Sequence, residues 1–334
     1  MTPPADPLLS VEGLRTVFRL ADGREAAAVD GVSFTVGRGE TVGLVGESGS
    51  GKSVTAMSII RLVMPPGRIA AGRITFDGRN LLDLNEEEIR QVRGRRIGFV
   101  FQEPMAALNP VYTIGYQIRE TLMVHGLARG AAGKKRAIEL LEAVRIPNPD
   151  RRAREYPHQL SGGLRQRAMM ALALAAEPSL VIADEPTTAL DVTVQAEVLD
   201  LLRDLRREFG LSLLLITHDL GVVAEMADRV AVMYCGRIVE QAPVAELFAK
   251  PAHPYTRGLL ASIPGVQVGE RLAAIPGTVP PLGQLGPGCA FAPRCSERME
   301  VCTTAPPEIS LVDPDHAVRC YLYQPEAVTG KARS

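Results

Sequence analysis

Residues 46–53 combine glycine, lysine and serine at a spacing that could hold a phosphate group. The segment is GESGSGKS and fits the pattern G-x-x-x-x-G-K-[ST]. Glycines let the backbone curl so that successive N–H groups face an anion, and a helix that follows adds its positive N-terminal end. Lys52 would reach the terminal phosphates and Ser53 would ligate Mg²⁺. The sequence predicts a nucleoside triphosphate site; the alternative is a glycine-rich turn with a chance Lys-Ser pair.

Two acids, Asp184 and Glu185, follow the short apolar run of residues 180–183. Such a run predicts a buried strand, and ligands of open α/β sheets bind at the carboxyl ends of the strands. One acid could hold Mg²⁺ through water, and the next could polarise an attacking water. A bare Asp-Glu pair is more often a solvated strand end, but the upstream phosphate loop favours the functional interpretation.

Short apolar runs and helical periodicity predict the elements that would position these residues. The strands are predicted at 32–36, 40–46, 96–102, 180–185 and 213–218, and the helices at 134–144, 165–176 and 194–209. Residues 229–242 predict a β-hairpin that turns near Cys235 and Gly236, and residues 103–175 contain no convincing strand. Buried strands separated by helices indicate an α/β protein with a parallel sheet and a helical insert.

Length and charge restrict the class of protein. The 334 residues suffice for one large domain with an appendage, or for two domains. A net charge of −1 gives no sign of a basic surface for nucleic acid, and the absence of Trp with only 4% aromatic residues leaves few side chains on which bases could stack. No apolar stretch approaches the roughly 20 residues of a membrane-spanning helix, and the N-terminus has no signal-peptide pattern. We therefore expect a cytoplasmic protein.

Several further motifs resemble the signature of ABC-type ATPases and occur in the expected order. They are Gln102 in VFQEP, LSGGLRQR at 160–167, LVIADE at 180–185, ALD at 189–191 and His218 after LLIT. The resemblance covers about residues 8–250 and is specific because separate motifs agree. It implies a P-loop NTPase with a RecA-like parallel sheet, an antiparallel β subdomain and a helical subdomain at about 103–175. Residues 1–250 would form this nucleotide-binding domain.

The resemblance also implies a role for individual residues around Mg-ATP. Contacts to the nucleotide fall on the phosphate loop, namely Gly46, Ser48, Gly49, Ser50, Gly51, Lys52, Ser53 and Val54. Ser53 and Gln102 would bind Mg²⁺ and the attacking water, with Asp184 in the outer shell. Glu185 would be the general base, and His218 would contact the γ-phosphate. Phe18 would stack on adenine; the alternative, a core residue of a β-hairpin, is nearly as well supported.

In ABC ATPases a serine-glycine turn completes the nucleotide pocket of the opposite subunit. Ser161, Gly162 and Gly163 occupy that turn here, and Asp191 belongs to the loop after the acids. Leu164 replaces the glutamine that is commonest in the family, whereas the serine and both glycines remain. Because Glu185 and His218 are both present, we expect active hydrolysis.

The segment after residue 250 resembles the C-terminal extension of oligopeptide, dipeptide and nickel importer ATPases. PAHPYT at 251–256 and the following RGLL carry this likeness. It implies the D-type ATPase subunit of a peptide importer, peripheral on the cytoplasmic face of the membrane. Its partners would be two permeases, a second homologous ATPase subunit and an extracytoplasmic peptide-binding protein. The alternatives are a nickel importer, or a soluble ABC ATPase with a metal-binding interaction module.

Four cysteines cluster in this extension, which we assign to residues 251–334. Cys289, Cys295, Cys302 and Cys320 have the spacing C-x5-C-x6-C-x17-C. In a reducing compartment, clustered thiols suggest a metal centre rather than disulfides. The wide spacings and the resemblance favour a [4Fe–4S] cluster over zinc. Cys235 lies apart and is predicted to be an inert packed thiol.

Overall fold

The computed structural model describes residues 6–188, 190–263 and 275–324. Its strands are β1 Leu9–Arg19, β2 Glu25–Val36, β3 Thr41–Val45, β4 Gly67–Phe76, β5 Arg79–Asn80, β6 Ile97–Val100, β7 Leu180–Asp184, β8 Ser212–Thr217, β9 Arg229–Tyr234, β10 Arg237–Pro243, β11 Ser310–Asp313 and β12 His316–Val318. The strands predicted from apolar runs fall within or overlap β2, β3, β6, β7 and β8, and β9 with β10 forms the predicted hairpin.

The helices lie between these strands along the chain, and five of them fall between β6 and β7. They are α1 Lys52–Ile59, α2 Glu86–Val92, α3 Pro104–Ala107, α4 Ile114–Val124, α5 Gly130–Ala143, α6 Pro149–Arg152, α7 Gly162–Leu174, α8 Val192–Phe209, α9 Leu220–Met226, α10 Val244–Ala249 and α11 Pro254–Ala261. Within the described part of the chain, no helix combines the length and apolar character that crossing a membrane requires.

The chain divides into two compact units, and the first is assembled from three segments of the chain. Unit 1 comprises Met1–Thr35, Val42–Arg79 and Thr217–Ser334. Strands β2, β1, β4 and β5 form one sheet in that order, with β1 and β4 antiparallel. In a second sheet, β3 is parallel to β9, and the antiparallel strands β10, β12 and β11 follow.

The C-terminal strands of unit 1 were not predicted from the sequence. Strand β12 returns to pair with β10, with Glu240 opposite Val318 and Gln241 opposite Ala317. The pairing crosses the predicted domain boundary at residue 250. The short length of β11 and β12 explains why their apolar pattern is hard to recognise in the sequence.

Unit 2 comprises Val36–Thr41 and Asn80–Ile216. Strands β6, β7 and β8 are parallel, and Ile97–Val100 pairs with 180–183 in register. Helices α3 to α7 lie between β6 and β7 along the chain, as the lack of a strand pattern in residues 103–175 predicts. All residues of β7 are buried, which is why this strand reads as a continuous apolar run.

Helix α8 shows how local sequence fixes an element of unit 2. The Asp191 carboxylate accepts a hydrogen bond from the N–H of Val194 at 3.0 Å and caps the N-terminus. Gly210 ends the helix in the left-handed conformation, with φ at 61°. The apolar positions Val198, Leu201, Leu202 and Leu205 are buried, as their helical spacing predicts.

Candidate functional site

The phosphate loop of unit 1 joins β3 to α1, as predicted, and its glycines are packed against backbone. A Cβ atom on Gly46 would lie 2.1 Å from the carbonyl oxygen of Met233, on β9. A Cβ atom on Gly51 would lie 2.4 Å from the carbonyl oxygen of Ala28, and Gly51 has φ at 103°. Backbone cannot yield to such contacts, so no other residue fits at these two positions. Close packing on both sides therefore sets the curl of the loop.

Lys52, which begins α1, turns its side chain back over the loop. Its Nζ donates to the carbonyl oxygen of Gly46 at 2.7 Å and to that of Glu47 at 3.0 Å. The side chain is buried, so its charge is held within the curl. The buried Ser50 hydroxyl has no hydrogen-bond partner among the described residues. A cation and a spare hydroxyl in one glycine-lined curl suit the oxygens of a phosphate group.

Glu47 is a residue of this loop that the sequence analysis left without a role. Its carboxylate accepts two hydrogen bonds from the Arg294 guanidinium, at 2.6 and 3.0 Å. Its N–H donates to the phenol oxygen of Tyr255 at 2.8 Å. The hydrogen bond and charge of Glu47 raise the pKa of Arg294. An acidic residue inside an anion-binding motif is unexpected and could have drawn attention to Glu47. Its partner, Arg294, lies 247 residues away in sequence.

Asp184 and Glu185 of unit 2 lie at the carboxyl end of β7, as predicted. Asp184 is buried, whereas Glu185 is half-buried and has φ at 47°, in the left-handed region. The N–H of Glu185 donates to the carbonyl oxygen of Ile216 in β8 at 2.8 Å. A positive φ is unusual for a residue with a side chain and indicates that surrounding contacts hold the turn.

Gln102 and Thr188 both donate to the same carboxylate oxygen of Glu185. The Gln102 amide lies 3.2 Å from Oε2 and the Thr188 hydroxyl lies 2.8 Å from it. Gln102, which follows β6, and Glu185 are therefore brought together as their predicted roles require. Thr188 was missed by the sequence analysis. Its position three residues after Glu185, in a turn closed by the Thr188 N–H and the Glu185 carbonyl, was the available signal.

The serine-glycine turn lies at the N-terminus of α7 in unit 2. The Ser161 hydroxyl oxygen accepts from the N–H of Leu164 at 3.4 Å and caps the helix. A Cβ atom on Gly163 would approach Val194 of α8 to 2.9 Å, so this glycine allows α7 and α8 to pack closely. Asp191 caps α8, and its predicted neighbour in the same motif, Ala189, lies outside the described residues.

Two other predicted nucleotide contacts lie in unit 1. His218 follows β8 and is exposed. Phe18 is half-buried near the end of β1, where its ring would meet a Cβ atom on Gly67 at 2.6 Å. The Phe18 ring therefore packs over Gly67 of β4, which agrees with the alternative of a core residue. Part of the ring remains accessible to a ligand.

The four clustered cysteines of unit 1 are free thiols within the C-terminal segment. Burial is the main cause that raises the pKa of Cys289 and Cys295, and it raises the pKa of Cys320 to about 11. The backbone N–H of Cys289 donates to the carbonyl oxygen of Cys302 at 2.8 Å, so these two cysteines lie next to each other. Thiol donors suit soft metals. Among the described residues, however, no three His, Cys, Asp or Glu side chains are arranged to hold a metal ion.

Cys235 follows β9 and is buried in a core cluster against which Cys289 and Cys295 also pack. Burial raises the pKa of its thiol to about 11, so the nucleophilic thiolate is scarce at neutral pH. The predicted packing of this thiol is confirmed, and its inertness stays a prediction.

Comparison with known proteins finds two family matches along the chain. Residues 29–188 match the ABC transporter family, and residues 239–302 match the C-terminal region of oligopeptide/dipeptide transporters. The first match contains the phosphate loop and both acids. The second contains Tyr255 and Arg294 and ends at Cys302.

Individual relatives align over nearly the whole chain. The oligopeptide transport ATP-binding protein AppD of Bacillus subtilis is 51% identical over 322 residues, covering 96% of this chain and 98% of AppD. OppD of the same organism is 50% identical over 323 residues, covering 96% and 90% of the two chains. Among solved structures, the ATP-binding cassette MJ0796, as a dimer in a post-hydrolysis state with ADP and phosphate, has a TM-score of 0.64 and 29% identity. That match covers 71% of this chain and 98% of the cassette.

Proposed function

The chain belongs to the ATP-binding proteins of ABC-type oligopeptide and dipeptide transporters, and we propose that it hydrolyses ATP to power the import of peptides. The glycine-packed phosphate loop with Lys52 turned into it is the observation that carries this function. Its backbone and cation suit a triphosphate. The match at residues 239–302 supports peptides as cargo over a nickel importer or a soluble ABC ATPase.

We assign the phosphate and Mg²⁺ contacts as the family resemblance implies. Lys52 and the loop backbone hold phosphates, and the Ser53 hydroxyl ligates Mg²⁺. Asp184 binds Mg²⁺ through water, and Gln102 holds Mg²⁺ and the attacking water. The hydrogen bond from Gln102 to Glu185 supports this pairing of roles.

Glu185 is the proposed general base. Its carboxylate is oriented by the Thr188 hydroxyl and the Gln102 amide, so it can accept a proton from water as the water attacks the γ-phosphate. His218 contacts that phosphate, and Phe18 stacks on adenine through the part of its ring that remains accessible.

The partners follow from a nucleotide shared between two ATPase subunits. Ser161, Gly162 and Gly163, with Asp191, complete the pocket of a homologous second subunit, so ATP favours the closed pair and hydrolysis releases it. Residues 1–250 form the nucleotide-binding domain, and residues 251–334 form the importer extension. Two permeases and an extracytoplasmic peptide-binding protein complete the transporter, with this chain peripheral on the cytoplasmic face of the membrane.

Transport by the complex purified from its own membrane tests this function. In vesicles, ATP should drive uptake of labelled peptides, and Lys52→Ala should abolish both hydrolysis and uptake. Lys135→Ala, on an exposed face of α5, is the control and should leave both unchanged. ATP-driven uptake of nickel without peptides would favour the nickel importer. Hydrolysis without uptake of either cargo would contradict import.

We further propose that Cys289, Cys295, Cys302 and Cys320 bind a [4Fe–4S] cluster, with zinc as the alternative. The clustering of the four cysteines in the sequence and the backbone hydrogen bond between Cys289 and Cys302 support this, although the side chains are not arranged as a ligand set. Chain purified without oxygen should contain iron and acid-labile sulfide, and Cys302→Ser should lose both while Cys235→Ser keeps them. Zinc alone would favour the alternative, and absence of both metals would contradict the proposal.

A further inference from the structure

Glu47 places a negative charge in the loop proposed to bind a triphosphate. A carboxylate beside a phosphate opposes binding unless a cation compensates its charge. Judged by its charge alone, Glu47 should therefore weaken phosphate binding by this loop. The C-terminal segment supplies the compensation.

Arg294 forms a two-pronged ion pair with Glu47. Its Nη1 lies 2.6 Å from Oε2 and its Nη2 lies 3.0 Å from Oε1. The arginine side chain is only 4% exposed, and its Nε donates to the carbonyl oxygen of Pro276 at 2.8 Å. Such a fork fixes orientation as well as charge. Because the guanidinium is itself held, it can hold the loop.

Tyr255 supplies a second contact to the same residue of the loop. Its phenol oxygen accepts from the N–H of Glu47 at 2.8 Å. The ring is fully buried, with its centroid 4.7 Å from that of Tyr234 and 5.3 Å from that of Phe291. This aromatic packing fixes the hydroxyl in place. Side chain and backbone of Glu47 are thus both bound by residues of the C-terminal segment.

We propose that Arg294 and Tyr255 are positioning residues for nucleotide binding: they neutralise and fix Glu47, so that the C-terminal segment sets the affinity of the phosphate loop. The inference rests on the proposed function, because its ligand is a nucleoside triphosphate. A preorganised loop binds more tightly because less order must be imposed on binding. Neither residue touches the reacting atoms, so hydrolysis of bound ATP should change little.

The charges of Glu47 and Arg294 allow loss of charge compensation to be distinguished from structural damage to the C-terminal segment. Arg294→Gln leaves the Glu47 carboxylate uncompensated beside the phosphates. Glu47→Gln removes the repulsive charge together with the need for its partner. Combining both changes should therefore restore affinity that Arg294→Gln alone has lost, whereas simple damage to the C-terminal segment would persist in the double variant.

Binding of a fluorescent ATP analogue to the full-length chain, followed by steady-state hydrolysis, tests the proposal. Arg294→Gln should raise the Kd and KM for ATP about tenfold, as expected for one lost charge-assisted contact, with kcat within about twofold. Glu47→Gln and the double variant should both bind within about threefold of the unmodified chain. Tyr255→Phe keeps the ring packing and should weaken binding about threefold.

Arg257→Gln is the matched control because it removes another charge and ion pair of the same segment, the one with Glu297. It should leave ATP binding unchanged. Should Arg294→Gln not fold, Tyr255→Phe decides the proposal, and unchanged affinity in that variant would overturn it. A double variant that binds as poorly as Arg294→Gln would also overturn it. Failure of the unmodified chain to bind ATP would instead contradict the proposed function.

Discussion

Two glutamates, one in each unit, show how different partners suit the same side chain to different tasks. Glu47 in the phosphate loop pairs with a buried arginine, which cancels its charge. Glu185 after β7 accepts hydrogen bonds from an amide and a hydroxyl, which orient the carboxylate without cancelling its charge. An acid beside bound phosphates must be neutralised, whereas an acid that takes a proton from water must stay an acceptor.

The backbones of the phosphate loop and of the turn at Glu185 are also held in different ways. Gly46 and Gly51 are confined by main-chain atoms of neighbouring strands, so the phosphate loop has little room to move. Glu185 sits at a positive φ in a turn held by a few hydrogen bonds. The binding region is thus fixed by packing, and hydrogen bonds from Gln102 and Thr188 help to orient the proposed catalytic glutamate. Each contact can be removed separately to test this contrast.

The largest effect is expected for Glu185→Gln, which removes the proposed base but keeps the shape of the side chain. Turnover of ATP should fall by about a hundredfold or more, because general-base catalysis contributes at least that much. The Kd for ATP should stay within about twofold, since the phosphate loop is unchanged. Single-turnover hydrolysis and binding of a fluorescent ATP analogue measure the two quantities. Turnover like that of the unmodified chain would remove Glu185 from its role.

A large effect on stability and binding is expected for Gly46→Ala. The added Cβ atom would meet the Met233 carbonyl oxygen at 2.1 Å, and the backbone must shift to admit it. We expect a loss of about 1–3 kcal/mol in the free energy of unfolding, as for other overpacked sites, and at least tenfold weaker ATP binding. Urea unfolding and nucleotide titration check both.

Gly286→Ala is the matched control for this substitution, because no atom lies within 4 Å of its added Cβ atom. It should leave both stability and binding near their original values. If Gly46→Ala bound ATP as tightly as Gly286→Ala, the phosphate loop would be no more confined than an open turn, and the contrast between the regions would fail.

The parts of this contrast that are local in sequence could be predicted. The phosphate loop, the acids after β7 and the helix ends at Asp191 and Gly210 depend on residues a few positions apart. Their glycine, apolar and capping patterns carry the information directly. Gln102 could be paired with Glu185 only through the family resemblance.

The contacts that join distant segments could not be predicted. Arg294 is far from Glu47 in the chain, and the residues around either one do not indicate that the two form an ion pair. Pairing of β12 with β10 likewise depends on where the chain returns, and β12 has only three residues. Ion pairs and the pairing of short strands are specified by tertiary packing, which one sequence without relatives does not reveal.

A smaller effect is expected from acid on the segment that holds the phosphate loop. Burial lowers the pKa of His253 to about 3, well below its ordinary value of 6.5. The unfolded chain therefore binds a proton between these values that the folded chain rejects, so stability falls as pH falls below about 6.5. Between pH 7 and about pH 5.5 this group should remove about 1 kcal/mol from the free energy of unfolding.

The variant His253→Asn isolates this titration. In the unmodified chain, a ring nitrogen of His253 accepts a hydrogen bond from the N–H of Tyr255. Asn cannot take up a proton in this range, and its side-chain oxygen can still accept that hydrogen bond. Its urea midpoint should therefore fall less on acidification than that of the unmodified chain. Equal losses in the two proteins would show that His253 does not carry the acid sensitivity of this segment.

The smallest effect is expected for Thr188→Val, which keeps the shape of the side chain and removes its hydrogen bond to Glu185. The loss of one hydrogen bond from a hydroxyl donor corresponds to about 1 kcal/mol, so kcat should fall about fivefold while the Kd for ATP is unchanged. Thr188→Ser, which retains a hydroxyl, should recover most of the rate. If Thr188→Ser were as slow as Thr188→Val, the methyl group and its packing would matter rather than the hydrogen bond. If ATP binding weakened in step with kcat, Thr188 would not act on the carboxylate alone, and the two regions would be less independent than the contrast between Glu47 and Glu185 implies.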